Sequence, residues 1–168
     1  MSNSNSQSHE VPADSSCRVA VVTISDSRTP EDDESGRVLT ELVEGMGWAV
    51  SESFIVKDER ELIAEMLRVL VQRGNVDLIL TTGGTGFSKR DVTPEATKDV
   101  IEREAPGLAE AMRAQTAATT RFAMLSRGVA GIKGEVLIIN LPGSPKGVRD
   151  CFSVIAPTLT HAVELLKA

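Results

Sequence analysis

The sequence TTGGTGFSKRDVTPEAT, residues Thr81–Thr97, joins a predicted strand to a predicted helix. The run VDLIL (76–80) before it is apolar, which is typical of a buried strand. Pro94 and Glu95 mark the first turn of a helix, with Thr93 as the expected N-cap. The stretch therefore predicts a strand–loop–helix unit of the kind that builds α/β sheets.

The loop between this strand and helix has the composition of a phosphate-binding site. Its three glycines allow tight turns, and successive N–H groups in such turns form an anion-binding concavity. A plain connection does not need the two cations and the aspartate that follow. We therefore predict that Asp91 binds a metal ion and that the substrate is bound by Thr82, Gly83, Gly84, Thr85, Gly86, Lys89 and Arg90.

Two familiar phosphate motifs do not fit this loop. A Walker loop needs Gly-Lys-Ser/Thr, whereas Ser88-Lys89-Arg90 stands here. The segment Gly84–Lys89 begins like a dinucleotide fingerprint but lacks the third glycine. The loop alone therefore predicts phosphate binding without identifying the reaction.

Composition limits the class of protein. The chain has 168 residues, 3% aromatic residues and a formal net charge of −6 with scattered cations. These values argue against nucleic acid as a partner. Residues 1–16 are predicted to form a disordered polar tail before a single domain, residues 17–168. No apolar run is long enough to cross a membrane and no signal peptide precedes the domain, so we expect a cytoplasmic protein with no membrane partner.

Apolar strands alternate with helical stripes along the rest of the chain. Residues 18–24 are apolar on both faces, as in a covered sheet. Residues 48–56 alternate, which predicts a strand near a sheet edge with Trp48, Val50, Phe54 and Val56 on one face. Residues 129–132 and 135–141 predict a hairpin. The pattern predicts a single three-layer α/β domain whose mostly parallel sheet has helices on both faces and one antiparallel edge.

Four polar loops follow the predicted parallel strands, and ligands bind at the carboxyl ends of such strands. Beyond the glycine loop, they add Asp58 as a second candidate for catalysis and metal binding. They also add as substrate-binding candidates Ser25, Asp26, Pro142, Gly143, Ser144 and Lys146. Asp58 and Glu61 match a capping box as well, so capping and metal binding both remain open for Asp58.

The residue types in these loops favour one kind of chemistry. The two histidines and the two cysteines all lie outside these four loops, which argues against acyl-transfer triads. Oxygen ligands alone favour magnesium over zinc. Magnesium beside phosphate-binding loops points to phosphoryl or nucleotidyl transfer, in which positioning and charge neutralisation supply most of the catalysis.

Three segments together resemble the MoaB/Mog family of molybdenum cofactor biosynthesis: 81–86 (TTGGTG), 90–95 (RDVTPE) and 141–145 (LPGSP). The resemblance implies a molybdopterin adenylyltransferase that uses Mg²⁺ and ATP and releases pyrophosphate. It also implies a homotrimer or hexamer and hand-over of the product to a molybdate-inserting protein. Asp58 and Asp91 match the family's essential acidic positions near magnesium, and residues 142–144 match the loop that holds the pterin.

Two questions stay open at this point. Segments 31–36 (EDDESG) and 55–57 (IVK) resemble the MoaB branch, whereas the central loop resembles the Mog-type enzymes. A non-catalytic molybdopterin carrier is therefore the alternative to an enzyme. The sequence does not assign separate roles to Lys89 and Arg90, and a merely solvated side chain is the alternative for either. Arg127 either reaches the pterin or forms a surface pair.

Overall fold

The computed structural model describes residues 16–168, so the predicted polar tail lies outside the described residues except for Ser16. The strands are β1 (Arg18–Ile24), β2 (Ala49–Val56), β3 (Leu78–Thr82), β4 (Arg103–Glu104), β5 (Ala130–Lys133) and β6 (Val136–Leu141). The α-helices are α1 (Glu34–Gly45), α2 (Arg60–Arg73), α3 (Thr93–Lys98), α4 (Pro106–Thr116) and α5 (Pro145–Lys167). A 3₁₀ helix spans Arg121–Leu125.

The six strands form one sheet in the order β2-β1-β3-β6-β5-β4. The first four strands in that order are parallel, whereas β5 runs antiparallel to both β6 and β4. The β5–β6 hairpin turns at Gly134, whose φ of +59° is open to glycine at little cost. The prediction of a mostly parallel sheet with an antiparallel edge is confirmed.

Helices cover both faces of the sheet, which confirms the three-layer prediction. Val19 and Val21 of β1 face the core formed with α1, α4 and α5. Ala20 and Val22 face the opposite core, formed with α2 and α3. Because β1 is buried on both sides, its sequence is continuously apolar, as expected for an inner parallel strand.

The prediction that Trp48, Val50, Phe54 and Val56 share one face of β2 is wrong after Val50. The β1–β2 register shifts between Val19 and Ala20, which pair with Val50 and Glu52 and leave one extra residue in β2. Such a bulge reverses the faces that follow it. Val50 therefore packs against the α1–α5 core, whereas Phe54 and Val56 pack against the α2–α3 core.

The predicted Thr93 cap is wrong, and of the two roles left open for Asp58 the structure does not show capping. Helix α3 has Val92 as its N-cap, and the Thr93 hydroxyl instead donates to the carbonyl oxygen of Gly83 at 2.9 Å. Helix α2 has Glu59 as its N-cap with no side-chain bond, so Asp58 does not cap it. Among residues 16–168, no helix combines the length and apolar character needed to cross a membrane.

Candidate active site

Four loops meet where the parallel strands β2, β1, β3 and β6 end. Backbone bonds tie them in pairs: the Ser25 N–H donates to Val56 O at 2.9 Å. The Gly83 N–H donates to Leu141 O at 3.2 Å. The Thr82 hydroxyl is buried and donates to Pro142 O at 2.7 Å, which joins the glycine loop to the loop after β6. The predicted convergence of the four loops is confirmed by these bonds.

A tight turn at Gly83 and Gly84 opens the central loop. Their φ angles are +103° and +68°, a region that side chains disfavour. A Cβ on Gly83 would lie 2.5 Å from Ile24 O, and one on Gly84 would lie 2.3 Å from Thr93 Oγ1. Within the described chain, the N–H groups of Gly84, Thr85 and Gly86 donate to no protein acceptor, so they are available to an anion.

Two carboxylates lie against this turn. Asp58 Oδ1 is 3.3 Å from the point where a Gly84 Cβ would stand, and Asp91 Oδ2 is 2.9 Å from the corresponding point of Gly86. Asp91 Oδ2 accepts a hydrogen bond from the Ser88 N–H at 2.9 Å. Sequence reasoning therefore placed both candidate ligands correctly beside the glycines.

The carboxylate of Asp58 is electrostatically unfavourable as it stands. Burial raises its pKa, and the charges of Asp26 and Asp91 raise it further. A backbone hydrogen bond from Asp26 and the charge of Arg90 act in the opposite direction, but the net pKa is raised. A partly buried carboxylate close to other negative charges is stabilised by a cation.

Arg90 ties the glycine loop to the loop after β1. Its Nε and Nη2 donate to the two oxygens of Asp26 at 2.9 and 3.0 Å, in bidentate geometry. This pairing lowers the pKa of Asp26, whose Oδ1 also accepts from the Asp58 N–H at 3.1 Å. Lys89 is exposed, whereas Arg90 is paired, so the two cations are not equivalent. Lys146, in the loop after β6, pairs with Asp150 at 2.6 Å.

A cavity of about 500 Å³ opens beside the glycine turn. One wall is polar and contains Gly84–Gly86, Asp91 and Pro142–Ser144. The other wall is mainly apolar and contains Met112 of α4 and Phe122 of the 3₁₀ helix, with Arg113 and Thr116 beside them. This cavity can hold a ligand that has a ring system with polar edges and an anionic end.

The remaining candidates lie elsewhere on the rim. Ser25 and Asp26 line a second cavity of about 800 Å³ between β2 and α1, together with Arg28 and Lys57. The Ser25 hydroxyl accepts from the N–H groups of residues 27 and 28, which orders its own loop. Only some of the candidate residues line a cavity: Gly84–Gly86, Asp91 and Pro142–Ser144 line the first, and Ser25 and Asp26 line the second. The remaining candidates line neither of these cavities: Asp58, Thr82, Gly83, Lys89, Arg90 and Lys146. The Asp58 N–H joins the two groups through its bond to Asp26.

Asn140 is a site residue that the sequence did not single out. It is buried at the end of β6 and also lines the first cavity. Its amide donates to the hydroxyls of Thr81 and Thr97 at 3.1 and 2.9 Å, and its oxygen accepts from the Val129 N–H. The sequence does contain one signal for Asn140: it is the polar residue in the otherwise apolar strand VLIINL. A buried amide needs hydrogen-bond partners, so its presence there indicates a polar network.

The donor set is compatible with magnesium. In the part of the chain that the structure describes, no group of three or more His, Cys, Asp or Glu side chains is placed to hold a metal. Magnesium does not require such a group, because it keeps water ligands and binds one or two carboxylates together with substrate phosphates. Asp58 beside Gly84 and Asp91 beside Gly86 are two carboxylates of the kind that such a site needs.

Comparison with known proteins identifies the family. The model described as "Probable molybdopterin binding domain" matches residues 20–161. The chain therefore belongs to this family of molybdopterin-binding domains, as the sequence motifs predicted.

Three relatives illustrate how far the similarity extends. The MoaB molybdopterin biosynthesis enzyme of Thermus thermophilus has a solved structure that is 44% identical, with a TM-score of 0.83, over 89% of this chain and 96% of that chain. A molybdopterin adenylyltransferase of Helicobacter pylori is 46% identical over 67% of this chain and 64% of that protein. The molybdenum cofactor synthesis protein cinnamon of Drosophila melanogaster is 46% identical over 87% of this chain, which spans only 25% of that protein.

Proposed function

We propose that this protein acts in molybdenum cofactor biosynthesis as a molybdopterin adenylyltransferase. In this reaction an oxygen of the molybdopterin phosphate attacks the α-phosphorus of ATP. A new P–O bond forms, the α–β anhydride bond breaks, and pyrophosphate leaves with the electron pair. The nucleophile is a phosphate monoester whose second pKa lies near ~6, so at neutral pH it is mostly dianionic and needs no general base.

One observation carries the proposal: an anion-binding turn, a pair of carboxylates and a half-apolar cavity adjoin one another. Met112 and Phe122 line the cavity, and the pterin ring would pack against them. The N–H groups of Gly84 to Gly86 are placed to bind the phosphate. Asp58 and Asp91, which lie against these glycines, are placed to hold the nucleotide through its metal ion.

The main barrier is the approach of one anion to another. Magnesium, when bound, neutralises phosphate charge and orients the leaving group. Asp58 and Asp91 would hold it, and the glycine N–H groups would orient the molybdopterin phosphate. Arg90 also forms an exposed ion pair with Asp26, between the loops after β3 and β1. Exposed Lys89 is free to approach a phosphate.

Replacement of Asp91 tests the catalytic assignment. We expect Asp91→Asn to fold normally and to lose turnover by roughly 10²-fold, comparable with removal of one transition-state charge partner. The measurement is pyrophosphate release with saturating molybdopterin, ATP and Mg²⁺. Asp99→Asn is the matched control, because Asp99 is an exposed aspartate that only pairs with Arg60 at the surface.

The outcomes separate an enzyme from a carrier. Loss of turnover in Asp91→Asn with retained molybdopterin binding supports the proposal. Turnover equal to that of the Asp99→Asn control removes Asp91 from the mechanism. Tight molybdopterin binding without pyrophosphate release, in the unmodified protein, identifies a carrier.

A further inference from the structure

We propose that Arg127 is a positioning residue that fixes the loop 85–91 from behind and thereby sets where Asp91 stands. The inference rests on the proposed function, because it assigns the geometry of that site. Arg127 lies in the segment between the 3₁₀ helix and β5, far from the loop in sequence. Of the two sequence expectations, a pterin contact and a surface pair, the structure shows a partly exposed pair with Glu95, and it adds bonds to the loop that the sequence did not predict.

Arg127 binds the loop at both ends. Its backbone N–H donates to Thr85 O and its Nε donates to Gly86 O, each at 2.8 Å. Its Nη2 donates to Asp91 O at 2.7 Å, and its Nη1 pairs with Glu95 of α3. One side chain therefore joins the start of the loop, its end and the following helix.

The loop has few other attachments. Phe87 is 70% exposed, and residues 88–90 are exposed as well. The bonds between Ser88 and Asp91 lie within the loop, and the Arg90–Asp26 pair is solvent-exposed. Exposed ion pairs contribute little, whereas bonds from a charged, partly buried group contribute more. We infer that Arg127 is the principal restraint on the loop.

The environment of Arg127 indicates positioning rather than substrate contact. Ser126 and Gly128 line the first cavity, but Arg127 between them lines neither cavity beside the carboxylates. Its Nε, Nη1 and Nη2 each donate to a protein oxygen. Burial would raise the pKa of Glu95, but the bond from Arg127, a backbone hydrogen bond and the charges of Arg127 and Arg60 together outweigh it, so the pKa is lowered and the pair stays charged at neutral pH.

A second arginine connects this restraint to the apolar wall of the cavity. Arg113 of α4 donates through Nη1 to Ser126 O at 3.3 Å and to Gly128 O at 2.8 Å. The segment that carries Arg127 is thus fixed to the same helix that supplies Met112 to the cavity. The loop and the apolar wall are therefore held in one geometry.

The test replaces Arg127 with lysine, which keeps the charge but cannot bond three separated oxygens in a planar array. The first readout is amide hydrogen exchange in the ligand-free protein. The N–H groups of Ser88 and Asp91 are hydrogen-bonded within the loop and report on its opening. We expect their exchange to accelerate at least about tenfold, because bonds to a charged group are lost. Arg103→Lys, an exposed arginine in β4, is the control.

The second readout is the kinetic split in the adenylylation assay. We expect kcat to fall about tenfold or more in Arg127→Lys, because a misplaced loop weakens the catalytic arrangement around Asp91. KM for molybdopterin should rise by less than kcat falls, because the backbone bond from residue 127 to Thr85 O, at the phosphate-binding end of the loop, is kept. Glu95→Gln keeps Arg127 but removes the negative charge of its ion-pair partner. This variant should therefore give an intermediate acceleration of exchange.

Unchanged exchange at Ser88 and Asp91 in Arg127→Lys overturns the proposal. A raised KM for molybdopterin with unchanged kcat also overturns it, because that result identifies a substrate contact. Absence of turnover in the unmodified protein contradicts the proposed function instead. The exchange measurement still decides the positioning role in that case, because it uses the ligand-free protein.

Discussion

Replacing Gly84 with alanine should damage both the stability and the chemistry of the protein. The φ of +68° costs an ordinary residue about 1–2 kcal/mol. The new Cβ would stand 2.3 Å from Thr93 Oγ1, so Thr93 must move and its bond to Gly83 O is lost, at about 1 kcal/mol. The free energy of unfolding should therefore fall by about 2–3 kcal/mol. For a domain of this size the melting temperature should fall by about 5–10 °C.

Gly134→Ala is the matched control for this prediction. Gly134 has a similar φ of +59°, but a Cβ there meets no atom within 4 Å. The free energy of unfolding of Gly134→Ala should fall only by the backbone contribution, about 1–2 kcal/mol, and its turnover should equal that of the unmodified protein. Calorimetry and pyrophosphate release measure the two effects on Gly84→Ala and Gly134→Ala side by side. Equal stability of the two variants, with turnover retained in Gly84→Ala, would refute the steric reasoning.

Two further predictions concern charge. Asp58→Asn should raise the melting temperature of the ligand-free protein at neutral pH, because the folded-state pKa of Asp58 lies above its unfolded value. The advantage should vanish below about pH 4, where Asp58 is protonated in both states, and a constant difference between pH 4 and 7 in thermal scans would contradict it. Burial alone would raise the pKa of Asp77, but bonds from Arg18 and Lys167 hold it at about 2. Asp77→Asn should therefore cost about 2 kcal/mol at pH 7, and the cost should disappear as the pH falls from about 4 toward 2. Urea titrations that show no cost at pH 7 would contradict this account.

The sequence predicted the features that depend on local pattern and chain direction. Continuous apolar runs identified the inner strands, and parallel strands necessarily bring their carboxyl ends to one edge. That rule was sufficient to place Asp26, Asp58 and Asp91 near the glycine turn. The glycine requirement at 83 and 84 was also readable, because only a tight turn with positive φ explains paired glycines at a strand end.

Contacts between distant segments could not be read from one sequence. Arg127 and Gly86 are 41 residues apart, and Asn140 and Thr81 are 59 residues apart. No local pattern signals either pair. The Thr93 cap failed because its hydroxyl has a better acceptor in Gly83 O, an outcome that only the folded turn makes available. The trimeric assembly, the hand-over partner and the cytoplasmic location remain predictions.

The bulge in β2 shows a different limit. Alternation predicts faces correctly only while the register is constant. One extra residue between Val50 and Glu52 exchanges the two faces. The composition of β2 does not reveal the insertion, because both of its faces carry apolar residues near a sheet edge.

The most direct test of the account combines the purified protein with molybdopterin, ATP and Mg²⁺. Pyrophosphate and adenylylated molybdopterin are then measured together. The account predicts that the two products appear in equal amounts and that both disappear in Asp91→Asn. Tight binding of molybdopterin with no pyrophosphate released would contradict it, and the glycine turn would then be the binding site of a carrier.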